Sequence, residues 1–396
     1  MGDVPRFRQT LVVLCAAAAC WAFSVGLYAP VASLWLHEAG YDDTIIGLNT
    51  STYYLSVAGA SLFVPGLMAR WGRGCVVVGV AGAGLTAALF PWADSLAGWF
   101  LLRALNGCAG ALTLIPLETL VNHHATPARR ARAFGLLEFC IAAGAGLGAL
   151  VGLQVYSLAP RLAFLCGGVV GLVAALLGAR LLPREKTPPE EEWDASPLSL
   201  RRNFLSFGTA WSQGFLEGSL LAFLSLYLLG LGYAESAAGW LLGSLLLGVV
   251  LFQMPVTWLA DRLGRGRTVL ICHATVLASL AVLPFCTSPT GLALWLFLLG
   301  ACCGAQYPVA LAALSERLPS ASLARANAMF LACNCAGSLV GPSLTGLAMD
   351  HLGARALFGA GIAATLAVLV VWAVWKSKGR RDRGSNPTGE PDKMAA

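Results

Sequence analysis

Most charged residues in this chain lie in short segments between long apolar runs, and that spacing constrains the fold more than any other feature. The runs fall at about 10–36, 45–69, 75–93, 97–121, 131–157 and 161–182, and again at about 204–230, 236–259, 267–287, 290–315, 324–349 and 355–375. Each is close to the ~20 residues that a helix needs to cross a bilayer. Only 12% of the 396 residues are charged and 57% are hydrophobic, where a soluble domain carries roughly 25% charge. Dispersed glycine and proline in so apolar a chain exclude disorder, collagen-like repeats and coiled coil. The expected fold class is all-α integral membrane, with twelve transmembrane helices, so any function lies within the bilayer.

The first run, from Thr10 to about Leu36, is too long for a cleaved signal segment and reads as the first span. One side of the membrane receives Arg6 and Arg8, Arg70 and Arg73, Arg129, Arg130 and Arg132, Arg262, Arg265 and Arg267, Arg317 and Arg325, and the tail from Lys376. The other side receives only Arg161 and Arg355. The positive-inside bias therefore predicts cytoplasmic termini and a cytoplasmic middle loop, in a multi-pass protein of the plasma or inner membrane. The cysteines, Cys302, Cys303, Cys333 and Cys335 among them, lie inside apolar runs with no C-x-x-C spacing and no histidine at ligand spacing. They read as small packing residues, and neither a metal nor another cofactor is expected.

Residues 183–203, with the acidic run Glu190, Glu191 and Glu192, suit a solvated linker between an N-terminal bundle (1–182) and a C-terminal bundle (204–376). The tail, 377–396, is expected to be disordered. The two bundles repeat one another. Ala69, Arg70, Trp71, Gly72, Arg73 and Gly74 return as Asp261, Arg262, Leu263, Gly264, Arg265 and Gly266. Pro116 returns as Pro308, and Ala143, Gly144 and Gly148 return as Ala336, Gly337 and Gly341. Duplication of a six-helix unit is the economical reading.

The repeated loop resembles the G-x-L-x-D-R-x-G-R-R hallmark of the major facilitator superfamily, best in the run from Trp258 to Arg265. The first copy departs from it, with Ala69 in place of the family's aspartate. Arg103, Asn106, Gly107 and Gly110 resemble the R-x-x-x-G motif of the fourth helix. Gln306 to Ala310, Gly337 to Ser343 and Glu118-Thr119 are similar to the YcaD-like branch of the superfamily. The Gly-Pro pair of drug antiporters is missing, since Ala149 follows Gly148. The resemblance, close to full length, implies two pseudo-symmetric six-helix bundles and transport of a small solute by alternating access.

Charge inside hydrocarbon is costly unless it is paired or faces a wet cavity, so each such residue suggests function. Glu217, in the middle of the seventh run with Gln213 one turn earlier, is the first choice for a substrate or proton site, against a glutamate satisfied by its own helix. Arg103 either meets an anionic substrate or acid, or snorkels outward. Glu118 and Glu138 flank the Arg129–Arg132 loop, where salt bridges would form a gate; a proton relay stays open. Asp261 is expected to latch the repeated loop against the start of the fifth spanning helix, with Arg262, Arg265, Arg70 and Arg73 in the same gate. Tyr28, Asn49, Tyr53, Gln306, Tyr307 and Asn334, with Gln253 and Asn327, would line a neutral polar path. Pro30, Pro65, Pro116, Pro255 and Pro308 are expected to interrupt helices.

The expected function is secondary transport of a small solute, with protons as a coupling ion, by a monomer in contact with membrane lipids and with no nucleic-acid partner. An uncoupled facilitator is the alternative. An enzyme would need convergent nucleophile, base or metal groups, and no H-x-x-x-H or G-x-S-x-G unit occurs on a span. A receptor or scaffold should carry a sizeable extramembrane domain, and the longest loop here spans only about 20 residues.

Overall fold

The structure is a computed structural model that describes residues 3–124, 127–182, 199–318 and 323–384. They form α1 (Asp3–Glu38), α2 (Asp43–Ser61), α3 (Val64–Trp71), α4 (Gly74–Leu89), α5 (Leu96–His124), α6 (Pro127–Leu158) and α7 (Pro160–Leu181). The second half contributes α8 (Leu200–Gly230), α9 (Glu235–Leu263), α10 (Arg265–Val282), α11 (Pro289–Ser315), α12 (Leu323–Leu352) and α13 (Ala356–Gly384). Eleven helices are long and apolar enough to cross a membrane, and α2 with α3 makes a twelfth, bent span.

That bend, 61° at Leu62 and Phe63, departs from the continuous second span expected from the sequence. Pro65, in the first turn of α3, has no N–H to offer the preceding turn, and its ring crowds the carbonyl there. Pro30, Pro116, Pro255 and Pro308, also expected to interrupt helices, instead lie inside continuous ones. Neighbouring helices supply enough packing to hold a proline-containing turn. Two boundaries are corrected as well. The linker ends earlier than 203, because Ser199 caps α8 by accepting from the Arg202 N–H at 3.4 Å, and Leu200 already begins the helix. The segment up to Gly384, expected to be unstructured, continues α13 as a helix. Residues 183–198 and 385–396 lie outside the described residues.

The duplication is legible in three dimensions. Gly72 and Gly264 end their helices at φ 53° and 89°, a left-handed conformation that side chains resist. Gly144 and Gly148 bring α6 against the backbone of Ala19 and Phe23 in α1, and Gly337 and Gly341 bring α12 against Trp211 and Phe215 in α8. A β-carbon at any of these four would meet main-chain atoms with nowhere to move. Gly148→Val and Gly341→Val are each expected to cost about 1–3 kcal/mol by overpacking, read as a melting temperature several degrees lower in detergent. Gly59→Ala, where an added methyl meets nothing within 4 Å, should melt like the parent. If all three variants melted alike, backbone-to-backbone packing would not be what holds these helix pairs.

The core is shared at one end only. One large apolar cluster joins both halves, from Tyr28, Phe90 and Phe164 to Phe223, Leu296 and Phe358. At the other end the halves keep separate clusters, around Leu14, Trp21 and Leu120 in the first and around Phe207, Leu314 and Phe330 in the second. The molecule is therefore closed at the end opposite its termini. It is open between the halves at the end carrying the starts of α1 and α8 and the end of α13.

Candidate functional site

The cavity between the halves is marked by one residue of α8. From Asn203 to Leu229 every residue is buried or half-buried except Glu217, which is exposed. Because α8 packs against α1, α9, α11, α12 and α13, an exposed side chain at its middle faces an internal space and not lipid. Gln213 Nε2 donates to Glu217 Oε2 at 2.9 Å, and Asn334 Nδ2 donates to Gln213 Oε1 and, at 3.2 Å, to the Ala210 carbonyl. The Glu217 carboxylate is thus held by a relay that reaches α12. Gly214, facing the Asn334 backbone, allows the two helices to approach closely enough for it.

The first half presents a cation. Arg103 is 3% exposed, so it does not snorkel, and its guanidinium lies 4.8 Å from the Tyr28 ring centroid and 5.3 Å from that of Tyr53. Gly107 and Gly110 let Tyr53 press against α5 and bring its ring there. Tyr53 and its neighbour Tyr54 each interact electrostatically with both Arg103 and Glu217, so the two tyrosines bridge the charges of the two halves.

Glu138 interacts electrostatically with Glu217, and Glu118 with Glu138, while Tyr307 feels all three carboxylates. The Tyr307 ring is held edge-on against Phe330 at 4.9 Å. Glu118 and Glu138 are therefore electrostatically linked to Glu217. Arg129–Arg132, expected in a loop, belong to the start of α6, and whether the two carboxylates brace them lies outside the described side chains. Along α5, Glu118 is about 22 Å nearer the open end than Arg103, at 1.5 Å per residue. The charged groups thus descend from a cation near the closed end to carboxylates toward the mouth.

Other expected site residues are placed apart from this row. Gln306 is fully buried with neither amide atom hydrogen-bonded. Asn49 is buried with its Nδ2 unpaired, one turn from Tyr53. At the open end, Arg265 holds Asp261 at 3.6 Å and Glu316 at 3.2 Å and donates to the Ala312 carbonyl at 2.8 Å. Arg262 covers the Trp258 ring at 3.7 Å, Arg73 donates to the Leu182 carbonyl at 2.8 Å, and Arg70 is exposed. Asp261 is thus engaged with Arg265, four residues further along the chain, while this end is open.

Sequence reasoning did not single out Tyr54, nor a clasp at the closed end. Asp350, at the end of α12, accepts from the backbone N–H of Asp43 at 3.0 Å and of Thr44 at 2.8 Å, and from the Thr44 hydroxyl. Ser343 donates to Ser51 at 2.7 Å, and Gln154 to the Ser236 carbonyl at 2.7 Å. All three contacts cross between the halves. The one available signal was a carboxylate at the end of a span, which by itself names no partner.

Among families, the model described as Major Facilitator Superfamily matches residues 14–234 and 204–394. "Uncharacterized MFS-type transporter YfkF" of Bacillus subtilis (strain 168) is 26% identical over 362 residues, covering 89% of this chain and 91% of the relative. "Uncharacterized MFS-type transporter YcaD" of Escherichia coli O9:H4 (strain HS) is 25% identical over 362 residues, covering 89% and 92%. Among solved structures, a bacterial homolog to the human lysosomal transporter Spinster, in an inward-facing and occupied conformation, superposes with a TM-score of 0.73. That match has 16% identity and covers 93% of this chain and 96% of the other.

Proposed function

The chain belongs to the Major Facilitator Superfamily and is a multi-pass membrane transporter, and from that premise we propose that it moves a small solute by alternating access, driven by a proton that Glu217 takes up and releases. The observation that carries this reading is the exposed carboxylate of Glu217 on an otherwise buried α8, tethered to Gln213 and Asn334, with Glu138 and Glu118 strung toward the open end. A carboxylate in a cavity that opens alternately to either side meets two different proton activities. Glu138 and Glu118 offer intermediate acceptors between Glu217 and the mouth. The Lys and Arg bias supports placing the open end in the cytoplasm, so the conformation described is inward-open. Solute flux in proteoliposomes under an imposed pH gradient tests the reading; flux that ignores the gradient would leave an uncoupled facilitator.

Closing the open end brings the two halves together around the repeated loops, where only the second copy carries a carboxylate. In the inward-open state Asp261 belongs to Arg265; on closure it is released toward the start of α6, whose N–H groups and dipole favour an anion. Ala69, its counterpart in the first half, has nothing to offer α12. Asp261→Asn is therefore expected to slow transport about two- to fivefold, with Ala69→Asp changing it less. Wild-type rates in both variants would remove this asymmetric gate.

A further inference from the structure

Among the described residues, the first half contains several buried hydrogen-bonding atoms without a hydrogen-bond partner. Arg103 Nε and Nη1 are fully enclosed and without a hydrogen-bond partner, and so are Tyr28 Oη and Asn49 Nδ2. Arg103 is 3%, Tyr28 0% and Asn49 2% exposed. Arg103 lies against the Tyr28 and Tyr53 rings, whose faces attract its charge, and it also interacts with the Tyr28 phenol oxygen, yet its Nε and Nη1 make no well-formed hydrogen bond. Asn106, a turn along α5, has its amide nitrogen committed to the Ala83 carbonyl at 3.1 Å and to Thr86 Oγ1 at 2.8 Å, and its Oδ1 is unpaired. Tyr53 and Tyr54 each interact with both Arg103 and Glu217, the carboxylate of the opposite half.

A buried guanidinium with open donors is a costly arrangement for a structural residue and a suitable one for a residue awaiting an anion. Its planar fork matches a carboxylate, with two parallel N–H···O bonds, better than it matches a spherical ion. We propose that Arg103, with Tyr28, is an anion subsite that takes the carboxylate of the transported solute. The solute's other end lies past Tyr53 and Tyr54 against the acceptors of Glu217 and Gln213, and so carries an amine or other hydrogen-bond donor. Recognition from both halves at once gives the solute a reason to draw them together. This deepens the transport reading above and rests on it.

The test uses the full chain in detergent with four carboxylates, acetate, lactate, alanine and benzoate, each against its primary amide, and with sodium chloride. At least one carboxylate is expected to raise the melting temperature where its amide does not. That binding should weaken at least tenfold in Arg103→Gln and partly recover in Arg103→Lys. Without ligand, Arg103→Gln is expected to melt at or above the wild-type temperature, because an uncompensated buried charge has been removed. The proposal is overturned if the ligand-free Arg103→Gln protein melts several degrees lower, if acids and amides stabilise alike, if chloride alone saturates the effect, or if no carboxylate acts. Binding that needs Arg103, without flux in proteoliposomes, would refute transport and keep the subsite. Flux of an amide that Arg103→Gln leaves intact would refute the subsite and keep transport.

Discussion

Glu217→Gln is expected to abolish accumulation of solute against its gradient while leaving solute exchange across the membrane in place. Glutamine preserves the size of the side chain and can still bond to Gln213, now 2.9 Å from the carboxylate, but it cannot gain or lose a proton. Each pH unit is worth about 1.4 kcal/mol, or tenfold. An imposed difference of 2 units can therefore sustain up to about a hundredfold accumulation of a solute coupled one-to-one to a proton. In the variant that ratio should fall to about one. Counterflow between labelled and unlabelled solute, which needs no proton, should continue, so loss of coupling is separable from loss of the fold. Glu138→Gln and Glu118→Gln should slow the approach to steady state without lowering its height, because they stand between Glu217 and the mouth. A Glu217→Gln protein that still accumulates solute would place the coupling elsewhere.

The spans were legible in the sequence because a bilayer leaves so few solutions. Backbone groups in hydrocarbon must be bonded internally, so a long apolar run has to be a helix, and its ends follow the charges. The duplicated glycines were legible for a related reason. Gly144 and Gly148, with Gly337 and Gly341, recur because the same helix crossing is built twice. The kink at Leu62 and Phe63 was less so, since Pro65 reads like Pro116 or Pro308, and only the packing of each turn decides whether the helix breaks.

The site was legible as a set of residues but not as an arrangement. Glu217 and Gln213 are one turn apart, and helical spacing alone pairs them. Asn334 joins them from another helix, and nothing local announces that contact. Glu118 and Glu138 read most simply as partners of the basic segment beside them in sequence, yet they interact with Glu217 and Tyr307. Proximity along the chain and proximity across the cavity point to different partners for a carboxylate. Only the packing of α5, α6, α8 and α11 distinguishes the two.

Asp350→Ala is expected to loosen the closed end and to shift the protein toward its opposite conformation. The carboxylate faces the like charge of Asp43 as well as His351, and its hydrogen bonds to Thr44 and Asp43 outweigh the pull of His351. The attraction comes from the free N–H groups of Asp43 and Thr44 at the start of α2, together with the Thr44 hydroxyl, groups that no helix can satisfy for itself. Gly47 and Gly346 allow this approach, since a β-carbon at either would strike the main chain of the facing helix. Hydrogen bonds to a charged group are worth about 1.5–3 kcal/mol each when sheltered. Asp350 is exposed, so the clasp as a whole is better put at about 1–2 kcal/mol, a factor of roughly 5–30 in the ratio of the two states. Hydrogen-exchange mass spectrometry on the intact chain should show faster exchange at the start of α2 and the end of α12 in the variant. Because opening one end of a rocking pair closes the other, exchange in α3 and at the α9–α10 turn should slow in the same sample. Ser343→Ala, which removes a neutral bond to Ser51, should produce the same pattern more weakly. Faster exchange confined to the first turn of α2 would mean that Asp350 caps one helix and holds no gate.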